Sequence, residues 1–193
     1  RPELQDKYLG IALRKSERLE ELINEFFEMT KYNFSNTVLS ISKVNLSLML
    51  EQLIFEFKLM FHEKGVDCQM DIQPDLTIPC DVEKMERVFD NLFKNAYNYC
   101  YENTTIHVHL KSSPMDDGVI LTIQNAGKTI PQEMLDHLFE QFFRMDSSRS
   151  SKTGGTGLGL AIAREIITLH HGTITCDSEN ETITFTVFLP KTP

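Results

Sequence analysis

The sequence predicts a two-layer α/β sandwich of the α+β class, with helices on one side of a mainly antiparallel sheet and one long helix in front. Two observations indicate this fold class. In several segments, apolar residues recur at three- and four-residue spacing, which is typical of amphipathic helices. Between these segments lie short stretches in which polar and apolar residues alternate, bounded by turn residues, as in β-hairpins.

Composition and charge narrow the class of protein. The 193 residues suit one domain with an appendage, and 41% hydrophobic and 24% charged residues are typical of a globular chain. The net charge of −9 argues against a nucleic-acid-binding surface, which needs a basic patch. A bound nucleotide needs only a few local cations and backbone amides, so the charge does not exclude one.

The four cysteines lie far apart and form no C-x-x-C pair. We therefore expect reduced thiols in a cytoplasmic setting, and predict neither a disulfide framework nor a zinc site. The sequence has no apolar run of about 18 residues, so we expect no membrane-spanning helix or signal peptide within it. It opens without Met on a helical pattern, and we expect a piece of a longer protein.

The first helix is predicted from residue 3 to about residue 31, without an internal proline. Its apolar residues follow a pattern close to a heptad and need a partner surface, because an isolated helix is marginal in water. Two partners are open: a helix that precedes this sequence, or the domain that follows. The apolar residues are Ala12, Leu19, Leu22, Ile23, Phe26 and Met29.

Residues 41–193 are assigned to the sandwich, and residues 1–40 to the first helix and a polar linker. Asn45 or Ser47 is predicted to cap the second helix, and Asp81 the third, because short polar side chains satisfy the first N–H groups of a helix. Turn residues and alternation assign the rest. The elements are a connector at 32–44, a helix to residue 62 ended by Gly65, strands at 68–72 and 77–80, a helix from residue 81, a hairpin of 105–110 with 119–123, helices at 131–143 and 157–170, a polar loop at 145–156, and a hairpin of 173–176 with 182–189.

Two asparagines stand out in the third predicted helix. Asn91 and Asn95 are four residues apart, so their side chains project from one face. Asparagine is a poor helix former because its amide competes for the backbone. Either these carboxamides bind a ligand or both face solvent, and the pattern alone does not decide between the two.

Two further stretches carry residues suited to nucleotide binding. After a strand, Asn125 can offer an acceptor and a donor to a flat heterocycle, and Gly127 lets the backbone approach a ligand, although the same residues make an ordinary turn. Three aromatic residues within 139–144 indicate core packing or a hinge. Arg144 and Arg149 are either solvated cations or phosphate ligands on a flexible segment.

The glycine-rich stretch at 154–160 runs directly into a predicted helix. The N–H groups and dipole at such a helix start favour a phosphate, although glycine-rich loops are common. The stretch is not a Walker loop, which needs G-x-x-x-x-G-K-[ST], nor a Rossmann fingerprint, which would follow a strand. The protein-kinase motifs V-A-I-K, H-R-D and D-F-G are absent from the sequence.

Together and in this order, the four stretches resemble the motifs of the GHKL ATP-binding fold, and within it the sensor histidine kinases of two-component systems. Residues 91–99 resemble the N box, 125–129 the first glycine box, 139–144 the F box and 154–160 the second glycine box. The first helix resembles the second helix of the dimerisation and phosphoacceptor hairpin. Several segments are closest in wording to the vancomycin-resistance sensor kinases.

The resemblance implies a role for each site residue. Asn95 would hold Mg²⁺ through its amide oxygen, which is a hard neutral ligand. Asn91 would act in catalysis, and Arg144 and Arg149 would balance charge on the phosphates during transfer. The implied ATP contacts are Asn91, Asn95, Tyr99, Asn125, Gly127, Thr129, Gly155, Thr156, Gly157, Leu158 and Gly159.

The sequence departs from the family pattern at three positions. Asn125 stands where an aspartate is usual, Thr129 where a glycine is usual, and Asn98 where a lysine is common. Each departure removes a charge or loosens a fit, which weakens the expected ATP binding. None of the six histidines has the neighbourhood of the phosphoacceptor, so we expect a fragment that binds ATP without phosphorylating itself.

The implied function is transfer of the γ-phosphoryl of ATP to a histidine on a dimerisation helix outside this sequence, for relay to a response-regulator aspartate. The implied full-length protein is a homodimer, with this chain as the cytoplasmic part of a membrane protein. A GHKL ATPase and a nucleotide-binding or pseudokinase module stay open as alternatives. The ATPases carry E-x-x-x-N in the N box, where the glutamate activates water, whereas this chain has Asn91.

Overall fold

The computed structural model describes residues 2–34, 38–145 and 155–191. Within these residues, the segments of alternating polarity and of helical periodicity form seven strands and five helices. Their bounds, in chain order, are α1 Pro2–Phe34, β1 Ile41–Asn45, α2 Leu46–Glu63, β2 Asp67–Ile72, β3 Thr77–Asp81, α3 Val82–Tyr99, β4 Thr105–Ser112, β5 Gly118–Ala126, α4 Gln132–Leu135, α5 Gly159–Leu169, β6 Thr173–Glu179 and β7 Thr182–Pro190.

The main sheet of the described residues has the strand order β2-β4-β5-β7-β6. The β2–β4 pair is parallel and the other neighbours are antiparallel. Every second residue along β4, β5 and β7 is buried, as expected for strands with one face against helices. The predicted α+β sandwich is therefore confirmed.

The core lies between this sheet and helices α2, α3 and α5. Phe61, Phe89 and Phe93 are fully buried there, and burial of each such side chain contributes about 1.5–3 kcal/mol. The rings of Phe57 and Phe93 are in contact at a tilt, with centroids 5.5 Å apart, which joins α2 to α3. Because α3 is packed on both sides, the backbone that carries Asn91 and Asn95 is held rigidly.

Asp81 connects three elements at the start of α3. Its carboxylate accepts hydrogen bonds from the N–H of Lys84 at 3.2 Å and of Ser40 at 2.9 Å, which confirms the predicted cap. Its own N–H donates to Nε2 of the buried His170 at 3.0 Å. Nδ1 of His170 lies 2.7 Å from the carbonyl oxygen of Ile166, so α3 and the end of α5 are tied together.

The predicted connector at 32–44 is wrong at both ends. Helix α1 continues to Phe34, and Ile41–Asn45 forms β1, which pairs with Thr77–Asp81 in a separate two-stranded sheet. Strand β3 therefore does not pair with β2, although only a short turn separates them. The cap of α2 is Asn45, whose side chain accepts from the N–H of Leu48 at 3.1 Å, as one of the two predicted alternatives.

The helix predicted at 131–143 is also wrong in extent, because only Gln132–Leu135 is α-helical. Farther along, Phe142 has a left-handed backbone with φ of 62°, and its N–H donates to the carbonyl of Gly157 at 2.9 Å. This long-range hydrogen bond turns the chain towards the glycine loop. A continuous helix could not make that connection.

Helix α1 contacts the rest of the chain through its second half, from Arg18 onwards. Met29 is buried, whereas Leu9, Leu13, Phe26 and Phe27 remain exposed. Of the two predicted partner surfaces, the helix thus meets its own domain in part and leaves an apolar face uncovered. The division into residues 1–40 and 41–193 stays a prediction. No helix within the described residues combines the length and apolar character that a membrane span requires.

Candidate functional site

A cavity of about 520 Å³ runs along α3 and opens between α1 and the segments that flank the glycine loop. It extends from Asn91, beside Gly159, to Tyr99, beside Gly127. Eight residues of helix separate Asn91 from Tyr99, a length of about 12 Å. Both polar and apolar residues line the cavity. The apolar lining consists of Ile130, Leu138, Phe143, Met145, Leu160, Ile183 and Phe185.

Asn91 is buried with one polar atom unsatisfied. The residue is 7% exposed, and its Nδ2 has no hydrogen-bond partner among the described residues. A buried donor without an acceptor costs about 1–3 kcal/mol. Gly159 makes room for this amide, since a Cβ on Gly159 would lie 3.1 Å from Oδ1 of Asn91. The arrangement suits an anionic ligand with oxygen acceptors.

Asn125 is the corresponding buried amide near the other end of the cavity. It is 1% exposed, and its Oδ1 likewise lacks a partner within the described part of the chain. Asn125 does not itself line the cavity, but its partner across β5 and β7, Ile183, does. Gly127 lets the backbone pass close to Tyr99, because a Cβ on Gly127 would come within 2.6 Å of the carbonyl oxygen of Tyr99.

The loop around Gly127 is fixed by its own hydrogen bonds. The N–H of Gly127 donates to the carbonyl of Glu181 at 2.8 Å, and the hydroxyl of Thr129 accepts from the N–H of Glu181 at 2.8 Å. Tyr101 donates to the Glu181 carboxylate at 2.9 Å, and this hydrogen bond raises the pKa of the Tyr101 hydroxyl. Thr129 thus holds the loop and does not line the cavity in the described structure.

The glycine loop meets the aromatic segment at Gly157. Gly157 has φ of 80°, and a Cβ on it would lie 2.9 Å from the backbone of Phe142, so other residues are strained there. The N–H of Leu158 donates to the hydroxyl of Thr156 at 3.2 Å, and the Leu158 side chain is buried in the core. Gly159 then begins α5, whose first N–H groups point the positive end of the helix dipole at the cavity.

Arg144 reaches the same loop. Its guanidinium donates to the carbonyl of Gly155, and Nη2 of Arg18 on α1 lies 3.5 Å from that oxygen. Arg144 lines the cavity beside the loop expected to hold phosphates, and its role in catalysis stays a prediction. Arg149 falls outside the described residues, so its predicted role stays a prediction.

The opposite wall of the cavity belongs to α1, which the sequence did not assign to the site. Glu21, Asn24 and Glu25 line it, and the carboxylate of Glu25 accepts a hydrogen bond from the hydroxyl of Thr156. Arg87 on α3 pairs with Glu25 at 3.5 Å, and the same guanidinium pairs with two other carboxylates. Those partners are Glu28 at 3.2 Å and Asp90 at 3.6 Å.

Most predicted site residues thus meet around one cavity, including Asn91, Asn95, Tyr99, Gly155, Thr156, Gly157 and Gly159. Sequence reasoning missed Arg87, Lys94 and the α1 residues. Arg87 precedes Asn91 by four residues, so helical spacing could have indicated that both lie on one face. Lys94 directly precedes Asn95, and this spacing gives no such indication. Nothing in the sequence pattern could have indicated Glu25.

A deep groove between a helical layer and a sheet, with buried amides and a glycine-rich helix start, defines a nucleotide-binding α/β sandwich. Residues 80–193 match the model of the histidine kinase-, DNA gyrase B- and HSP90-like ATPase family, so the chain belongs to that ATP-binding family. It is a catalytic domain of the sensor histidine kinase type.

Two sensor proteins are among the similar proteins. The chain is 48% identical over 188 residues to the sensor protein VanSC of Enterococcus gallinarum, covering 97% of this chain and 51% of that protein. It is 42% identical over 187 residues to the sensor protein VanS of Enterococcus faecium, covering 97% and 48%. The chain spans about half the length of the curated relatives it matches.

A solved structure supports the same family. The histidine kinase ThkA, in complex with the response regulator protein TrrA, superposes with a TM-score of 0.80 at 27% identity. The match covers the whole of this chain and 53% of ThkA. The helix α1 and the sandwich are thus both included in the likeness.

Proposed function

We propose that this chain is the catalytic part of a protein histidine kinase, which transfers the γ-phosphoryl of ATP to a histidine on a dimerisation helix outside these 193 residues. The observation that carries the proposal is the pair of unsatisfied buried amide atoms, Nδ2 of Asn91 and Oδ1 of Asn125, near opposite ends of one cavity. A donor suits phosphate oxygens, and an acceptor suits the exocyclic amino group of adenine.

In this proposal, the adenine binds at one end of the cavity and the phosphates bind at the other. Tyr99 and Gly127 would bound the adenine, and the apolar residues beside them would exclude water from its faces. The backbone amides of Gly155, Gly157 and Gly159, with the hydroxyl of Thr156, would hold the phosphates at the start of α5. The other ATP contacts we propose, from the resemblance, are Thr129 and Leu158.

Asn95 is the residue we propose as the ligand of Mg²⁺. Its carboxamide lies on the cavity wall one turn beyond Asn91, and amide oxygens are hard ligands that leave room for water and phosphate oxygens. The described residues contain no cluster of three histidine, cysteine, aspartate or glutamate side chains that could hold a metal instead. The ion would neutralise charge between the β- and γ-phosphates.

The identity of residue 91 favours phosphoryl transfer to a side chain over ATP hydrolysis. An amide cannot accept a proton from water, so the residue at the position of the ATPase glutamate cannot act as a general base. Its Nδ2 can instead orient a phosphate, while Arg144 and Arg149 balance the charge that develops during transfer. A side-chain acceptor is thereby favoured over water. A module that only binds nucleotide and docks partners remains the second candidate, because it would share every feature of the cavity.

The relatives support a proposal for the partners and the location. We propose a response regulator as the protein that receives the phosphoryl group, in view of the ThkA complex. The exposed apolar residues of α1 would pack in a homodimer of the full-length protein, with the phosphoacceptor helix beside them. We also propose that the chain lies at the cytoplasmic side of a membrane-anchored sensor. Its similarity to VanSC and VanS makes vancomycin resistance a candidate setting.

The proposed site is tested by titration with a fluorescent ATP analogue, with and without Mg²⁺. We expect Mg²⁺-dependent binding that Asn95→Ala weakens at least about tenfold, with an unchanged circular dichroism spectrum. Equal affinity of the wild type and the variant would remove Asn95 from the site. Hydrolysis by the wild type should be slow, and its increase in Asn91→Glu would fit the assignment of Asn91.

A further inference from the structure

We propose that Lys94 on α3 is a ligand of the outer phosphates of the nucleotide. The inference rests on the nucleotide site proposed above and adds to it a cation that the site assignments do not include. Lys94 lines the cavity on the same wall as Asn91 and Tyr99. Along the helix axis it lies about 4.5 Å from Asn91 and about 7.5 Å from Tyr99, so it is nearer to the end proposed for the phosphates.

Lys94 lies on the side of α3 that faces α1. Arg87 precedes it by about two turns of helix, so the two side chains project in nearly the same direction. Arg87 pairs with Glu25 and Glu28 of α1. The carboxylate of Glu25 in turn accepts a hydrogen bond from the hydroxyl of Thr156 in the glycine loop. A cation at Lys94 therefore borders the part of the cavity where α1, α3 and the glycine loop meet.

The charges along the cavity leave a role for this lysine. A triphosphate carries several negative charges, and cations placed beside it offset their repulsion from nearby carboxylates. Within the described residues, the carboxylates in the lining are Glu21 and Glu25, and the cations are Arg87, Lys94 and Arg144. Arg87 is already engaged by carboxylates of α1, and Arg144 donates to a carbonyl of the glycine loop. Lys94 has no such bond to α1 or to the loop in the described structure.

One carboxylate of α3 holds Lys94 in the ligand-free structure. Nζ of Lys94 lies 2.9 Å from Oδ2 of Asp90, which precedes it by one turn and does not line the cavity. Asp90 also pairs with Arg87 at 3.6 Å, so it keeps a partner when Lys94 turns away. The Lys94 side chain is 55% exposed, and its flexible stem lets the ammonium group move from Asp90 to a phosphate. Such pairs on a helix surface contribute little, so the exchange costs little.

Asn98 lies one turn beyond Lys94 and lines the same wall. The four-residue spacing places the two side chains on one side of the helix. A lysine is common in the family at position 98, whereas the amide of Asn98 carries no charge. Lys94 thus supplies this wall with a positive charge one turn nearer to Asn91, which offsets the weakening of ATP binding expected from Asn98.

The test is isothermal titration calorimetry with ATP and with AMP, in the presence of Mg²⁺. In about 50 mM salt, Lys94→Met should raise the dissociation constant of ATP at least about fivefold, and the difference should fall below about twofold in about 0.5 M salt because salt screens the charge. AMP lacks the outer phosphates, so its affinity should change by less than about twofold. Lys128→Met is the matched control, because it removes the same charge from an exposed lysine outside the cavity lining.

Two further variants separate phosphate binding from a merely structural pair on the helix. Asp90→Asn removes the same ion pair but leaves the ammonium group of Lys94 in place, so it should bind ATP at least as tightly as the wild type. The double variant Lys94→Met with Asn98→Lys returns a charge to the same wall. Its ATP affinity should lie within about threefold of that of the wild type.

The outcomes distinguish this inference from the proposed function. Unchanged ATP affinity of Lys94→Met, with Mg²⁺-dependent binding by the wild type, would overturn the role of Lys94 and leave the nucleotide site intact. Equal losses in Lys94→Met and Asp90→Asn, equal losses of ATP and AMP, or a double variant as weak as Lys94→Met would also overturn it. Absence of ATP binding by the wild type would contradict both. If circular dichroism shows that Lys94→Met does not fold, Lys94→Gln removes the same charge and replaces it in every comparison.

Discussion

The hydroxyl of Thr156 in the glycine loop donates a hydrogen bond to the carboxylate of Glu25 on α1, although 131 residues separate the two in sequence. Arg87 pairs with the same carboxylate from α3. A negative side chain thus lies where the loop and the helix start of α5 are suited to phosphates. The first helix therefore bears on nucleotide binding as well as on dimerisation.

Replacing Glu25 should strengthen ATP binding. Glu25→Gln removes one negative charge beside the proposed phosphate site and keeps the size of the side chain, so we expect about a fivefold lower dissociation constant. Isothermal titration calorimetry in low salt measures the change. Glu20→Gln is the matched control, because Glu20 is exposed on the same helix and does not line the cavity. Equal effects of the two substitutions would contradict a specific role of Glu25.

Removing the guanidinium of Arg87 should loosen α1. Each partly exposed ion pair contributes little alone, but Arg87→Ala removes both of its pairs with α1, to Glu25 and Glu28, and its pair with Asp90 on α3. We expect faster hydrogen exchange in the last turns of α1 and unchanged protection in the main sheet. Lys111→Ala serves as the control, since Lys111 pairs with Asp71 on the sheet. Unchanged exchange in α1 would show that Met29 and the hydrogen bond of Thr156 to Glu25 suffice to hold the helix.

Two glycines of the loop should respond differently to alanine. A Cβ on Gly157 would lie 2.9 Å from the backbone of Phe142 at φ of 80°, a strain of about 1–3 kcal/mol, so Gly157→Ala should weaken ATP binding at least about tenfold. A Cβ on Gly155 would have none of the described atoms within 4 Å. Gly155→Ala should accordingly leave the affinity within about threefold. The same titration checks both, and equal losses would argue against the fixed junction at Gly157.

The cysteines should be unreactive near neutral pH. Burial raises the pKa of Cys68 and Cys80 to about 11 and that of Cys176 to about 12, and it also raises the pKa of Cys100. At pH 8, a thiol with a pKa of about 11 is a thiolate in about one molecule per thousand. We expect slow alkylation that accelerates as the pH rises towards 11. Denaturant should expose four thiols, and one rapidly reacting thiol in the folded chain at pH 8 would contradict the prediction.

The local features of this fold could be predicted from the sequence, because their causes lie within a few residues. Asp81 caps α3 through the N–H of a residue three positions on, and the four-residue spacing of Asn91 and Asn95 places both on the cavity wall. Strand β1 could not be predicted in this way, since Ile41–Asn45 is ordered by pairing with a strand more than 30 residues away. The turn at Phe142 likewise depends on its hydrogen bond to Gly157.

The site could be predicted only as far as the motif residues reach. Asn91, Asn95 and the glycine loop follow from the ordered motifs, whereas the role of Thr129 in holding Glu181 depends on the tertiary structure. The acidic wall formed by Glu21 and Glu25 depends on how α1 docks against α3. That docking rests on the pairing of Arg87 with Glu25 and Glu28 and on the hydrogen bond of Thr156 to Glu25, which join residues far apart in the sequence.

The most direct test of the central claim is phosphoryl transfer in trans. The chain is mixed with Mg²⁺, ATP labelled in the γ-phosphoryl group, and a separately produced two-helix hairpin that carries a phosphoacceptor histidine. We predict acid-labile, base-stable label on the hairpin, and none when Asn95→Ala replaces the wild type or when the acceptor histidine is changed to glutamine. An unlabelled hairpin despite saturating ATP binding would contradict the kinase assignment and favour a module that only binds nucleotide.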